Sequence, residues 1–312
     1  MSTPGAKEHR VKSSIRLGVV ISGRYARASK MERRFQEECK AREIFCLAGI
    51  TDPAKHAGWW AEYCINQRCS HIVIAGGDGT LHQAIQPVLR CDKAVRPVLI
   101  PLPSGSGNDF ARSVNAPVSV EAVFTLIETG SPAWVDAGCI EISARETVPH
   151  TWFLNIADAG LGGAVSKYLH QAPRWAGPEI MYQWSILRTL ITYKPVNMFV
   201  KIDGLIIDGP CLNVVVANGA FFGSGLHIAP GASVTDGKFT VVVLGAFTVL
   251  DYLRFLPDIK AGRKINHPAA HYFETAEVTF HAPEAAIEAD GEYVGTAPVR
   301  MYVVPGALPM LF

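Results

Sequence analysis

The sequence predicts an α/β domain at its amino end, followed by an antiparallel, β-rich domain. Three observations carry this expectation. Short apolar runs alternate with helix-period segments up to about residue 130, and long β-rich segments dominate after it. The 312 residues leave room for about two domains at the usual 100–200 residues each. Strands alternating with helices imply a parallel sheet covered on both faces, whereas strands joined by Asp-Gly turns imply antiparallel pairing.

The elements follow in order. Residues 15–21, IRLGVVI, read as a buried strand. Residues 29–41 read as a helix, with Met31, Phe35 and Cys39 at four-residue spacing. A second strand spans 43–48, and a second helix spans 54–67 behind Pro53. A third strand at 71–75 leads into Gly76-Gly77-Asp78-Gly79-Thr80 and a helix to about Arg90. A fourth strand at 97–101 leads into another Gly-rich turn and a helix from about Asn108.

The second half reads as strands at 134–143, 151–158, 196–203, 211–218, 238–244, 271–281, 285–289 and 292–304. Asp203-Gly204, Asp236-Gly237 and Asp290-Gly291 are the expected turns. One helix, 179–193, interrupts, with Ile180, Trp184, Leu187 and Ile191 on one face. The expected division is 1–133 and 134–304, with 305–312 returning to the first domain and a cleft between the two.

Apolar residues make up 49% of the chain, enough for a real core, and charged residues only 18%. Lys and Arg number 29 against 28 Asp and Glu, so the net charge is +1. That excludes the basic footprint of a general nucleic-acid binder and the acidic excess of a disordered tail. The start, MSTPGAKEHRVKSS, has no apolar secretory core, and no run reaches the roughly 20 apolar residues of a membrane span. The richest run, 239–250, reads as a buried strand. Seven scattered cysteines without a Cys-x-x-Cys pair imply reduced thiols, and with them a cytoplasmic place.

Two loops carry the chemistry. Glycines between a strand and a helix let backbone N–H groups approach a phosphate, helped by the helix dipole. Gly76 to Thr80 fits, although the Asp78 carboxylate would repel a phosphate unless Mg²⁺ bridges them. The plainer reading is a tight turn in which Asp78 caps the next helix. The loop Pro101-Leu-Pro-Ser-Gly-Ser-Gly-Asn-Asp-Phe-Ala-Arg112 follows the next strand. Ser104 and Ser106 supply hydroxyls, while Asn108 and Asp109 can cap a helix or position a ligand. Ligands of open α/β sheets bind beyond the carboxyl ends of strands, so the two loops converge. No Gly-x-x-x-x-Gly-Lys-[ST] appears, nor a Gly-x-Gly-x-x-Gly after the first strand.

Gly76-Gly77-Asp78-Gly79-Thr80 together with Pro103-x-Gly105-Ser106-x-Asn108-Asp109-Phe110-Ala111 resembles the diacylglycerol-kinase catalytic superfamily, in its bacterial lipid-kinase branch. Asn155-Ile-Ala-Asp-Ala-Gly-Leu-Gly162, Ile228 to Gly237 and Asp290-Gly291-Glu292 extend the resemblance over most of the chain. It implies an α/β nucleotide-binding domain, as in NAD kinases and diacylglycerol kinases, plus a β-sandwich domain. It also implies ATP as co-substrate and Mg²⁺ as cofactor.

By that resemblance the ATP contacts map onto Gly76, Gly77, Asp78, Gly79, Thr80, Leu81, Asn108, Asp109 and the hydroxyl of Ser106, where Thr is more usual. Thr51 matches a further ATP-contacting Thr. The first-strand loop departs from the family's Asn-Pro-x-Ser-Gly or Asn-Gly-Lys and reads Ser22-Gly23-Arg24; Gly23 and Arg24 are its expected contacts. Gln83 replaces the more frequent Glu. Glu292 matches the proton acceptor, with Asp78 and Asp290 in the catalytic group; if both are extended, Asp290 and Glu292 share a face. Asp236 matches a Mg²⁺ site completed by the carbonyls of Ser233 and Lys238. Local sequence alone also permits plain Asp-Gly turns at 236 and 290, with a solvated Glu292.

The acceptor implied is a lipid hydroxyl, diacylglycerol or a related lipid, met at the inner face of the membrane by a protein without a transmembrane segment. Trp175, Ile180, Met181, Trp184, Leu187 and the segment 221–225 are candidates for an apolar groove, or are plain core. A homodimer is compatible with this reading, and nucleic acid is not a partner. Two other functions stay open: an NAD kinase, which shares the first loop, and a nucleotide-binding regulator without catalysis.

Overall fold

The computed structural model describes residues 15–142, 150–169, 178–282, 285–296 and 298–312. They form two units, Met1–Val135 with Ala307–Phe312, and Asp136–Gly306.

In the first unit, β1 (Arg16–Ile21), β2 (Phe45–Ile50), β3 (His71–Gly76) and β4 (Val98–Pro103) lie in the order β2-β1-β3-β4. All their pairings are parallel, with Val19 beside both Ala48 and Val73. Such strands are covered on both faces, which is why β1 and β3 are nearly continuous runs of buried aliphatic residues. Five helices supply the cover: α1 (Ala28–Ala41), α2 (Ala57–Asn66), α3 (Asp78–Arg90), α4 (Asp109–Ser113) and α5 (Val120–Thr129). Phe35 of α1 and Phe124 of α5 meet in the core at 6.0 Å. Gly49 sits directly under Trp60, where a Cβ would come within 2.3 Å of the indole. The last strand of the chain, β16 (Val299–Met310), ends here: Met310 pairs in parallel with Leu99, and the Leu311 N–H donates to the Leu99 carbonyl at 3.0 Å. Arg96 fixes the same segment by donating to the Ala307 carbonyl.

Helix α2 starts three residues later than the sequence predicts. The Asp52 Oδ1 accepts from the N–H groups of Ala54 and Lys55 at 2.8 and 2.7 Å, a local turn that competes with helix around Pro53. His56 then caps α2 at Trp59. Helix α5 was not predicted, although Ser119 caps it by accepting from Ala122 at 3.2 Å.

The second unit is antiparallel. β12 (Ala270–Thr275), β11 (Phe239–Leu244), β10 (Asn213–Ala217), β7 (Ile156–Gly160), β14 (Ala286–Ala289) and β15 (Glu292–Thr296) form one sheet in that order. β16, β13 (Glu277–His281), β8 (Val196–Ile202) and β9 (Leu205–Cys211) pair in sequence in another, and β5 (Ala133–Ile142) pairs with β16 and β6 (Thr151–Phe153). Phe153, Val214, Val216, Val241 and Phe280 are fully buried in one apolar cluster. The opposite face of the first sheet carries α6 (Leu161–Leu169), α7 (Pro178–Thr192) and α8 (Val249–Lys260).

Two predicted hairpin turns are present. Asp203 and Gly204 (φ 46° and 84°) join β8 to β9, and Asp290 and Gly291 (φ 50° and 90°) join β14 to β15. Asp236-Gly237 is a turn, with Gly237 at φ 72°, but only β11 flanks it, so it closes no hairpin. The run 239–250 is not one strand. β11 stops at Leu244, and α8 begins behind a capping box in which Thr248 Oγ1 accepts from Asp251 N–H while Asp251 Oδ2 accepts from Thr248 N–H. Pro257 inside α8 masked that helix in the sequence. Helix α6 and strand β9 were also unpredicted. All seven cysteines are free thiols, five of them buried.

Asp158 of β7 is 4% exposed and stands cross-strand from Glu288 of β14. Burial, then the neighbouring Glu288 charge, raises its carboxyl well above the ordinary carboxylate range, against a hydrogen bond from Asn213. A raised folded value means that stability is full in acid and falls as pH rises, because the unfolded chain ionises first. Asp158→Asn should therefore gain stability relative to the parent as pH is raised from acid to neutral. Thermal melts over a pH series read this, and a difference independent of pH contradicts it.

Candidate functional site

In the first unit, the predicted residues gather at the carboxyl ends of β1 to β4. The Gly23 N–H donates to Thr51 Oγ1 at 2.9 Å, so the hydroxyl of Thr51 fixes the loop after β1. A Cβ at Gly23 would lie 2.1 Å from the Thr51 carbonyl, which explains glycine there. Arg24 is exposed beside it.

The loops after β3 and β4 are packed glycine on glycine. A Cβ on Gly105 would lie 2.4 Å from Gly77 Cα and 2.8 Å from its N. The Ser104 N–H donates to the Gly76 carbonyl at 3.1 Å, and a Cβ on Gly76 would strike the Thr80 side chain at 2.4 Å. Gly77 is the N-cap of α3, so Asp78, Gly79, Thr80 and Leu81 form its first turn, and Leu81 is buried. Asn108 stands at φ 56° and bonds Gly105 at both ends of its amide: Oδ1 accepts at 3.0 Å and Nδ2 donates at 2.8 Å.

Asp78 supplies the cap for α4. Its Oδ2 accepts from the Asp109 N–H and its Oδ1 from the Phe110 N–H, both at 3.1 Å. The carboxylate thus links the first loop to the second. Neither Asn108 nor Asp109 caps with its own side chain, contrary to one sequence expectation; Asp109 is 5% exposed and pairs with Arg112 at 3.1 Å. Ser106 is exposed at the loop tip, and the buried Ser104 Oγ has no hydrogen-bond partner among the described residues. A loop of this build presents hydroxyls and backbone N–H groups with little side-chain bulk, as phosphate binding requires.

The second unit gathers the other predicted residues around two carboxylates. Asp290 Oδ1 accepts from the N–H groups of Asn155 and Ile156 at 3.0 and 3.1 Å, and Oδ2 from Leu154 at 3.1 Å. Asp290 and Glu292 would share a face only if both were extended. Asp290 is not extended, because the left-handed turn aims its carboxylate back at 154–156. Glu292 opens β15 and is exposed. No hydrogen bond or ion pair holds its carboxylate among the described residues.

The sequence reading missed Asp136 and Asn218. Asp136, 2% exposed, accepts from Gly237 N–H on Oδ2 and from Gly306 N–H on Oδ1, each at 2.7 Å. Asn218 donates from Nδ2 to the carbonyls of Asp136 and Leu154 at 3.1 and 2.6 Å. Asn155 donates to the Phe221 carbonyl at 2.7 Å. One network therefore runs from the Asp236-Gly237 turn to the Asp290 hairpin. The Asn218-Gly219 dipeptide, a turn signal, was its one legible trace.

Asp236 is exposed, and its Oδ1 accepts from Lys238 N–H at 3.1 Å. The donors expected there, this carboxylate and the carbonyls of Ser233 and Lys238, are all oxygens, the kind hard divalent cations take. Among the described residues no cluster of three or more His, Cys, Asp or Glu could hold a metal ion. Of the expected groove residues, Trp175 lies outside the described residues, Ile180 is 61% exposed, and Met181, Trp184 and Leu187 are half-buried.

Removing the Asp290 anchor should be costly. Asp290→Ala leaves three backbone N–H groups without their acceptor and should lose about 2–4 kcal/mol of unfolding free energy. Urea unfolding measures it; a loss under about 0.5 kcal/mol would remove the anchor from the account.

The chain is similar to known proteins over most of its length. The diacylglycerol kinase catalytic domain model matches residues 20–140, and the YegS C-terminal NAD kinase β-sandwich-like domain model matches 155–312. "Probable lipid kinase YegS" of Escherichia fergusonii is 25% identical over 76% of this chain and 76% of its own length. A protein of Staphylococcus saprophyticus named diacylglycerol kinase is 24% identical over 80% of this chain and 79% of its own. A crystal structure of a diacylglycerol kinase from Bacillus anthracis shares the fold at TM-score 0.68 and 16% identity, over 95% of this chain and 96% of that one. The chain belongs to the bacterial lipid-kinase branch of the diacylglycerol-kinase family, phosphotransferases with an alcohol acceptor.

Proposed function

We propose that the protein is an ATP- and Mg²⁺-dependent lipid kinase that transfers the γ-phosphate to a lipid hydroxyl, diacylglycerol or a related lipid. The observation that carries this reading is the pair of strand-end loops held together at Gly77 and Gly105 and locked by Asp78. Gly76 to Leu81, Ser106 and the orphan hydroxyl of Ser104 are the groups this reading gives to the phosphates, with Gly23, Arg24 and Thr51 beside them. Asn108 and Asp109 serve by shaping the loop, since both side chains already bond the protein.

Phosphoryl transfer asks the protein chiefly for position and charge compensation. The attacking hydroxyl must also lose its proton as the new P–O bond forms. Glu292 is the group we assign to accept it: an accessible carboxylate without a partner among the described residues, on a turn that Asp290 fixes. Asp290 acts through that turn as a positioning residue. Asp236, with the carbonyls of Ser233 and Lys238, would hold Mg²⁺, which would supply positive charge there when bound. No described helix is long and apolar enough to cross a membrane, so this reading has the lipid met at the membrane surface.

Two variants test the reading with γ-labelled ATP, Mg²⁺ and mixed lipid micelles, NAD being offered in parallel. Glu292→Gln should lower kcat by about 100-fold or more while ATP affinity changes little. Organic-phase label unchanged in the variant removes the base assignment, and label found only in NADP assigns the chain to NAD phosphorylation instead. Gly105→Ala should weaken ATP binding by about tenfold, because the added methyl separates the two loops; calorimetric titration measures it, and unchanged affinity refutes the loop assignment.

A further inference from the structure

Two cysteines of the first unit meet across a single turn. Helix α2 ends in a Schellman motif: the Cys69 N–H donates to the Cys64 carbonyl at 2.9 Å and the Arg68 N–H to the Ile65 carbonyl at 2.8 Å, with Arg68 left-handed at φ 55°. The first of these bonds holds the two cysteine Cα atoms to about 6.8 Å at most, the outer limit of a disulfide's usual span, and the bend at the hydrogen bond draws them closer. Cys64 is fully buried, with its sulfur over Gly18 of β1, where a Cβ would lie 2.6 Å from it. Cys69 is 5% exposed and follows three exposed residues, Asn66, Gln67 and Arg68. The Cys64 thiol hydrogen-bonds the Cys69 sulfur.

Helix α1 ends on the same turn, and the contrast shows what Cys69 adds. There the Ile44 N–H donates to the Cys39 carbonyl at 2.9 Å, past Glu43 at φ 57°. An apolar contact across such a turn is usual, and Ile44 supplies it. Cys69 supplies the same contact at α2 and sets a second sulfur against the first. Its surroundings favour the thiolate: the bond from Cys64 lowers the Cys69 thiol below its ordinary range, burial opposes this, and the Arg16 guanidinium assists. Arg16 is held at the turn by donating from Nε and Nη2 to the Gln67 carbonyl at 3.2 and 3.1 Å. The same thiol bond, with burial, raises Cys64, so the proton of the pair stays on Cys64. Cys46, which bonds Cys39, has the negative charge of Glu32 nearby, and this opposes a thiolate there.

We propose that Cys69 and Cys64 form a reversible thiol–disulfide site for a hydroperoxide oxidant, with Cys69 attacking the peroxide and Cys64 resolving the product. The Cys69 sulfur bonds to one oxygen of hydrogen peroxide as the O–O bond breaks. The other oxygen takes up the proton that Cys69 released and leaves as water, so Cys69 carries a sulfenic acid. The Cys64 sulfur then attacks the Cys69 sulfur, the S–O bond breaks, and the hydroxyl leaves with the Cys64 proton as a second water. Two thiols are oxidised to one disulfide while one peroxide is reduced to two waters. Exchange with an external dithiol restores both thiols. Cys69 precedes β3 at its amino end, whereas the loops given to ATP follow the carboxyl ends of the strands. The site is therefore separate from those loops and does not depend on the kinase reading.

The test is a cysteine map of the full-length protein. It is titrated with hydrogen peroxide, remaining thiols are blocked with N-ethylmaleimide in denaturant, and peptides are identified by mass spectrometry with and without dithiothreitol. The expected first product is the Cys64–Cys69 disulfide, with the other cysteines still alkylated and both thiols restored by dithiothreitol. In Cys64→Ser, dimedone should trap Cys69 as its sulfenic acid. In Cys69→Ser, dimedone labelling of Cys64 should be lower by about tenfold or more. Thermal melts show that the variants are folded, and the wild-type map stands without them. A first disulfide between Cys39 and Cys46, sulfinic acid at Cys69 without a disulfide, or both thiols intact in a large excess of peroxide overturns the site. Equal dimedone labelling in the two variants overturns the roles given to the two sulfurs.

Discussion

Asp290 gathers three successive backbone N–H groups, those of Leu154, Asn155 and Ile156, onto one carboxylate. This contact is what joins the irregular stretch between β6 and β7 to the far hairpin of the sheet. Without it three N–H groups on buried residues lose their acceptor; Leu154 and Asn155 lie between those two strands, and Ile156 only opens β7. Asp136 repeats the device with Gly237 and Gly306, and Asn218 ties the two clusters through the carbonyls of Asp136 and Leu154. Charged acceptors suit this task because a charge-assisted hydrogen bond is about twice as strong as a neutral one. The segments bearing Glu292 and Asp236 thereby share one rigid support inside the second unit.

The first unit solves a similar problem by removing side chains. Its two loops approach so closely at Gly77 and Gly105 that no methyl group fits between them. Asp78 then bridges the remaining gap by accepting from the first N–H groups of α4. Tight backbone contact and a carboxylate bridge leave a surface made of amides and small hydroxyls. A surface of that kind gains its specificity from geometry fixed before a ligand arrives, so little is lost in ordering it on binding.

The α/β rhythm was legible because parallel strands buried on both faces must be continuously apolar, and β1 and β3 are. The glycine loops were legible because two of them follow successive strands of the parallel sheet. What stayed hidden depends on contacts across long sequence distance. Nothing near Asp136 announces that Gly237 and Gly306 donate to it, and nothing near Asp290 announces residues 154–156. The capping box of Thr248 and Asp251 was written in the sequence, yet the adjoining β-branched run and Pro257 obscured it. A shared face for Asp290 and Glu292 required both to be extended, but Asp-Gly at positive φ reverses the chain, so alternation does not carry through the turn.

The pairing of Met310 with Leu99 bears on how the molecule comes to be folded. β4 receives its outer neighbour from a segment 211 residues further along, as the Arg96 contact with Ala307 counts it. Until that segment arrives, the Leu99 edge is an open template of unpaired N–H and C=O groups on an apolar strand. The first unit therefore cannot finish folding from its own contiguous residues, however regular its local pattern. Its completion waits on a contact of very large sequence separation, which is slow to form because the intervening loop must first be closed. During that wait β4 is the place where a neighbouring chain could add a strand instead, so conditions that delay the last strand should favour association through this edge over completion of the fold.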